Sequence, residues 1–112
     1  MKKVVAILQP NKFEATREAL AAIGIDGLTA TETRGFGRQK GHRETFRGRE
    51  YQVDLLPKIQ IELVVPTNRV EDVVRAITAA TRTGQIGDGK IFVYSVEDAF
   101  RIRNEERGDV AL

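Results

Sequence analysis

Ile59-Gln60-Ile61-Glu62-Leu63-Val64-Val65-Pro66 decides the fold. Ile59, Ile61 and Leu63 alternate with Gln60 and Glu62, the period of a strand with one buried face. Pro66 has no N–H to give a ladder and ends the run. Downstream, Asn68 followed by Glu71 resembles a capped helix start. Val70, Val73, Val74, Ile77 and Ala80 then form an apolar stripe at helical spacing. Gly84 is expected to close that helix, and Ile91 to Val96 reads as a returning strand. Upstream the same plan occurs once more. Val4 to Leu8 is a short apolar run, hence a buried strand, and Pro10 stops it. Asn11 with Glu14 repeats the cap. Phe13, Leu20 and Ile23 share a helical face, and Gly24 ends the helix. Thr16 lies within that face, and its hydroxyl needs a partner if buried. Gly27 precedes a second strand, Leu28 to Arg34. Two βαβ halves predict an α+β, ferredoxin-like domain (β-α-β-β-α-β) with a four-stranded antiparallel sheet and two helices on one face.

A chain of 112 residues suits one domain, residues 1–112. A net charge of only +2 does not call for direct nucleic-acid or membrane-surface binding. The absence of cysteine excludes a disulfide framework and thiolate metal sites. The apolar run after Lys2 and Lys3 is too short for a signal core or a membrane span, so a cytoplasmic location is expected. The two lysines themselves read as a solvated strand start.

Between the second helix and the last strand runs Gly84-Gln85-Ile86-Gly87-Asp88-Gly89-Lys90. It matches the first seven places of a phosphate-binding loop, G-x-x-x-x-G-K. Ile91 stands where a Ser or Thr would hold Mg²⁺. A helix also enters the loop and a strand leaves it, the reverse of a hydrolysing NTPase. The glycines permit a nest of backbone N–H groups around an anion, and Lys90 adds a cation. Residues 82–90 therefore read as a phosphate cradle without a hydrolytic apparatus, suited to sensing a nucleotide.

Residues 35–55 interrupt the symmetry of the halves. They hold Gly35, Gly37, Gly41 and Gly48, dense charge and no sustained periodicity. A structureless loop of about 20 residues in a small domain is more often functional than filler. It cannot pack on itself, so it is expected to stay mobile until something binds. Within it, Gly37 allows close backbone approach, Arg38 suits phosphate, and Gln39 offers an oxygen acceptable to Mg²⁺. Tyr51 and Arg47 lie near the tip. His42 is the only histidine and reads as a solvated loop residue. Beyond the last strand, Glu97 to Arg103 reads as a final strand or a turn. Arg101 and Arg103 would share a face in a strand, where they suit polyphosphate or lie exposed at an edge. Asn104 to Gly108 reads as a charged, mobile tail.

Two other functions fit less well. Arg34-Gly35-Phe36-Gly37 matches the start of an RNA-recognition consensus, but Arg38 and Gln39 stand where Phe and Val belong. The strand Ile59 to Val65 also lacks the rings that stack bases. A small enzyme would lack a nucleophile–base pair or paired carboxylates and would leave proton chemistry to His42 alone.

The assembled motifs resemble the P-II nitrogen-regulatory signal-transduction proteins over essentially the full length. Thr83-Gly84-Gln85-Ile86-Gly87-Asp88-Gly89-Lys90-Ile91-Phe92-Val93 is similar to that family's C-terminal signature without a mismatch. Gly35-Phe36-Gly37-Arg38-Gln39-Lys40-Gly41-His42 resembles the start of its T-loop, and Arg101-Ile102-Arg103 its C-terminal arginine pair. The resemblance implies a homotrimer with ATP or ADP bound competitively in clefts between neighbours. It implies that Gly37, Arg38, Gln39, Gly87, Asp88, Gly89, Lys90, Arg101 and Arg103 serve the phosphates, and that Thr29, Glu62 and Val64 sit where the family holds adenine. It also implies 2-oxoglutarate beside Mg²⁺-ATP, with Gln39 on the metal and Gln39, Lys40, Gly41, Lys58 and Gly87 around the acid. The T-loop, residues 35–55, would control partners through Arg47: an ammonium channel, a nitrogen-assimilation enzyme or a transcription regulator. Membrane association would come only through a channel partner. Tyr51 matches the family's uridylylation acceptor, whereas Phe46 and Arg49 depart from the usual surrounding pattern. Arg49 also stands where some relatives carry a phosphorylated Ser, which closes that route here. A P-II-like paralogue sensing adenine nucleotides without 2-oxoglutarate is the alternative. The residues themselves pointed to the cradle and the loop; the trimer and 2-oxoglutarate come only from the resemblance.

Overall fold

The computed structural model describes residues 1–36 and 55–112, together with the backbone of two short strands between them. In chain order the elements are β1 (Lys2–Leu8), α1 (Phe13–Ala22), β2 (Thr29–Gly35), β3 (Arg43–Phe46), β4 (Arg49–Gln52), β5 (Leu56–Val65), α2 (Val70–Thr81) and β6 (Gly89–Ser95). One antiparallel sheet runs β2-β5-β1-β6, and β3 and β4 pair apart from it. Among the described residues, no helix is long and apolar enough to cross a membrane.

The period-2 pattern builds the core. Val4, Ala6 and Leu8 of β1 lie on the same sheet face as Ile61, Leu63 and Val65 of β5, under Leu20 of α1 and Val73 and Ile77 of α2. Both helices thus cover one face. Thr16 is fully buried beside this cluster, and its hydroxyl donates to the Lys12 carbonyl at 2.8 Å. That bond satisfies the group that burial would otherwise penalise. Ile77→Ala would empty a void between helix and sheet and should cost about 3 kcal/mol. Urea unfolding followed by circular dichroism would read it as a lower midpoint with an unchanged slope.

The opposite face carries the other set of residues. The register aligns Thr29, Glu62, Val5 and Phe92 in one row, and Val64, Lys3 and Tyr94 in another. Phe92 and Tyr94 remain 43% and 50% exposed there.

Several boundaries differ from the sequence expectation, each for a local reason. Asn11 and Asn68 are not caps. Each lies inside a single 3₁₀ turn, Pro10–Lys12 or Thr67–Arg69, that precedes its helix, and neither helix has a side-chain cap. An N-cap needs extended backbone, and a residue within a helical turn cannot supply it. Gly24 does end α1: its φ is +84°, its N–H donates to Ala21 and that of Ile25 to Leu20. This is a Schellman closure. Gly84 does not end α2, which stops at Thr81 with Arg82 already extended. Strand β5 begins at Leu56 rather than Ile59, because Pro57 pairs only with β2, beyond the end of the β1 ladder. A proline is tolerated there, where no inward N–H is needed.

Two expectations about irregular segments are also corrected. The long connection is not structureless, since Arg43–Phe46 and Arg49–Gln52 form an antiparallel ladder from Arg43↔Gln52 to Phe46↔Arg49. Of the strand or turn expected over Glu97 to Arg103 the turn forms, and the residues that follow are not a loose tail. Phe100 bridges Arg107, the Arg101 N–H donates to Glu106, and the Glu105 N–H donates to Arg101. The Arg107 guanidinium lies 4.5 Å from the Phe100 ring centre and 2.6 Å from an Asp98 oxygen.

Candidate functional site

The turn between α2 and β6 is held by its own side chains. Asp88 Oδ2 accepts from the Thr83 and Gly84 N–H groups, both at 2.9 Å, and Oδ1 accepts from the Thr83 hydroxyl at 2.5 Å. That hydroxyl in turn accepts from the Gln85 N–H at 3.1 Å. These donors, the Thr83 hydroxyl foremost, hold the Asp88 carboxyl below the usual aspartate range. Gly84, Gly87 and Gly89 adopt φ values of +86°, +102° and +110°, a left-handed backbone that side-chain-bearing residues resist. Gly89 also pairs with Leu8, placing the start of β6 against the end of β1.

Lys58 reaches this turn from β5. It is buried, and its Nζ donates to the Gly87 carbonyl at 3.2 Å. Burial pushes its pKa below the ordinary lysine value. An open cleft of about 740 Å³ lies here, lined by Phe36, Leu56, Lys58, Gly87 and Lys90 among others. That size admits a small organic anion or part of a nucleotide. The cleft joins two cationic side chains to a turn of left-handed glycines, the donor set suited to phosphate or carboxylate.

The structure gathers only part of the expected site. Gly87, Gly89, Lys90 and Lys58 converge in the cleft. Gly35 and Phe36, also in its wall, lead directly into Gly37. Gly37, Arg38, Gln39, Lys40, Gly41 and Arg47 lie outside the described residues, and for Tyr51 only the backbone, in β4, is described. Thr29 and Glu62 face each other across β2 and β5, and Val64 follows on the same face. Glu62 lies four positions beyond Lys58 on β5, about 13 Å along the strand. These three are absent from the cleft lining of the single chain. Asp88 does reach the turn, but its side chain folds back to bond Thr83 and Gly84 of its own loop, which leaves its backbone N–H as the group suited to an anion.

The arginines are placed differently from the sequence expectation. Arg101 is outside any strand and Arg103 sits in a turn, so the shared-face argument does not apply. Arg101 Nη1 pairs with Glu106 at 2.9 Å, and Nη2 donates to the Val110 and Leu112 carbonyls, each at 3.2 Å. A guanidinium carries five N–H donors, which leaves two for another anion. Two hydrogen bonds were not anticipated: that between Thr83 and Asp88, and that between Lys58 and Gly87, a pair that only the resemblance had placed in one site. The first was accessible, since Thr and Asp flanking a glycine-rich turn commonly bond its backbone. The second joins distant segments and had no local signal. Among the described residues, no three acidic or histidine side chains group as a metal site.

Comparison with known proteins is consistent across the chain. A family model described as nitrogen regulatory protein P-II matches residues 1–106. The chain is 56% identical to the nitrogen regulatory protein P-II of Rhodospirillum rubrum and 57% identical to that of Rhizobium etli, over 100% of both chains in each case. It is 54% identical to nitrogen regulatory protein P-II 1 of Escherichia coli K12, again over 100% of each.

Proposed function

This chain belongs to the P-II family of nitrogen regulatory signalling proteins, and on that premise we propose that it is a non-catalytic sensor of ATP, ADP and 2-oxoglutarate acting as a homotrimer in the cytoplasm. The observation that carries this reading is the cleft in which Lys58, Lys90 and the glycine turn meet the root of the 35–55 loop. Such a cleft binds an anion and lies where binding can alter the loop. The backbone N–H groups of Gly87, Asp88 and Gly89, with Lys90, receive the phosphates. Arg38, Arg101 and Arg103 add charge. Thr29, Glu62 and Val64 hold adenine, the full site forming between neighbouring subunits. The half-exposed Phe92 and Tyr94 face supplies apolar surface for that assembly.

Gln39 contributes one oxygen ligand for Mg²⁺, whose remaining positions fall to phosphates and water; bound there, the ion would neutralise phosphate charge. 2-Oxoglutarate places a carboxylate on Lys58, with Gln39, Lys40, Gly41 and Gly87 around it. The hairpin of β3 and β4 carries the output, with Arg47 as the partner contact and Tyr51 as a modification site. The partners are an ammonium channel, a nitrogen-assimilation enzyme or a transcription regulator.

Calorimetric titration tests this directly. ATP and ADP should compete for one site per subunit, and Mg²⁺-ATP and 2-oxoglutarate should tighten each other by one common factor, as linkage requires. Nucleotide binding without any 2-oxoglutarate heat would establish the nucleotide-only paralogue instead. Lys90→Ala removes a charge-assisted contact and should weaken both nucleotides about tenfold. Wild-type affinity in that variant would place the phosphates elsewhere.

Lys58 gives a pH signature. Burial lowers its pKa, whereas a bound carboxylate would raise it. Binding of 2-oxoglutarate should therefore take up protons as pH rises through the lowered pKa, and affinity should fall on that alkaline side. Titration in buffers of different ionisation heat would reveal the uptake. Folding has the opposite sense: it lowers the Lys58 pKa and so releases protons, and the free protein gains stability with rising pH between the lowered pKa and the ordinary value near 10.5. Lys58→Met should abolish both effects.

A further inference from the structure

Asp88 poses a problem for a phosphate site. A carboxylate beside a polyphosphate repels it, and Coulomb's law alone says that its removal should tighten the ligand a few-fold. Yet both carboxylate oxygens are engaged within their own loop. Its two oxygens accept from the Thr83 N–H, the Thr83 hydroxyl and the Gly84 N–H, and the Thr83 hydroxyl accepts from Gln85. The contacts form a ring that ties residue 88 to residues 83 and 84. Within the ring lie Gly84 and Gly87, and Gly89 follows it, all three left-handed. Without the ring these glycines would leave the turn free to move, and a ligand would have to order it on binding.

We propose that Asp88 is a positioning residue: its carboxylate touches no ligand but closes the 83–88 turn through Thr83, so that the N–H groups from Gly87 onward stand ready for phosphate. The proposal rests on the assignment of the Gly87–Lys90 turn to the phosphates. The depressed Asp88 pKa agrees with a carboxylate kept ionised by these donors. Charge is then incidental, and geometry is what the residue supplies.

The two roles predict opposite signs. ATP and ADP affinities would be measured by calorimetry for Asp88→Ala, Asp88→Asn, Thr83→Val, Thr83→Ser and the double variant Asp88→Ala/Thr83→Val. Positioning predicts that Asp88→Ala weakens both nucleotides about tenfold, and that Asp88→Asn, which keeps one accepting oxygen, loses only about threefold. Thr83→Ser keeps the hydroxyl and should stay within about twofold. The double variant should be no weaker than Asp88→Ala, because both changes open the same ring. The thermal midpoint of the ligand-free protein should move by less than about 2 °C, since the ring lies outside the core, which separates local positioning from general destabilisation. Tightened or unchanged binding in Asp88→Ala overturns the proposal, and so does strict additivity in the double variant. Lys90→Ala is measured alongside. If it weakens binding while Asp88→Ala does not, positioning alone fails. If neither variant changes affinity, the phosphate-site assignment fails and the proposal falls with it.

Discussion

Gly89→Ala should destabilise the chain by at least about 3 kcal/mol, lowering the thermal midpoint by roughly 10 °C or more. A Cβ built at Gly89 would lie 1.8 Å from the Ile7 carbonyl oxygen, 2.9 Å from its carbon and 3.3 Å from the Leu8 Cα. All three are backbone atoms of β1, a strand paired on both sides, so no side chain can swing away. The φ of +110° adds strain of its own. Relief requires β6 to peel from β1 at Leu8↔Gly89, which carries Lys90 out of the cleft. Nucleotide affinity should therefore collapse in whatever fraction stays folded. Gly84→Ala is the control. It has a similar φ of +86° but nothing within 4 Å of the added carbon, so it should cost only about 1 kcal/mol. Differential scanning calorimetry of the two variants decides the matter. Equal, mild losses would mean that β6 does not meet β1 in this register.

The contrast between these glycines shows where sequence information ends. Both stand in the same motif, and their conformational need was readable from the G-x-x-x-x-G-K spacing. Only the pairing of Leu8 with Gly89 reveals that one abuts backbone and the other open space. The sheet was legible for the same reason that its core is apolar. Ile61 and Leu63 alternate with polar neighbours because one face alone is buried, and a one-residue slip would invert them. The helix starts were misread because Asn11 and Asn68 have the chemistry of caps but lie inside 3₁₀ turns. The β3–β4 ladder was missed because Arg43-Glu44-Thr45-Phe46 has no apolar period, and backbone pairing leaves no trace in such a run. At the site, the local elements were legible and the directions of side chains were not. Asp88 is expected in the cradle as one residue of the turn, and nothing in its neighbours tells that its carboxylate bonds Thr83 and Gly84 of the same loop. For Arg101 and Arg103 the sequence leaves strand and turn open, and the turn that forms removes the face a strand would have given them.

Excising the hairpin, Arg43 to Gln52, should leave the folded core intact while abolishing partner binding. The chain leaves the sheet at Gly35 and re-enters at Leu56, and these two residues are cross-strand partners. The excursion therefore begins and ends at one place. Removing the paired strands leaves a shorter loop between fixed points, and halving a loop lowers its closure cost by only about 0.6 kcal/mol. Among the described residues no strand of the main sheet loses a neighbour, since β3 and β4 there pair with each other. The thermal midpoint should accordingly stay level or rise by a few degrees. ATP and ADP affinities should remain within about twofold, because Gly37 to Gly41, Lys58 and the Gly87–Lys90 turn are all retained. On the proposed function, binding of a purified ammonium channel held in detergent should be lost entirely, because the residue assigned to that contact, Arg47, is gone. The three measurements separate two roles that a single assay would confuse. Loss of folding would make the hairpin part of the scaffold. Intact folding with undiminished channel binding would move the output surface onto the sheet or the C-terminal segment.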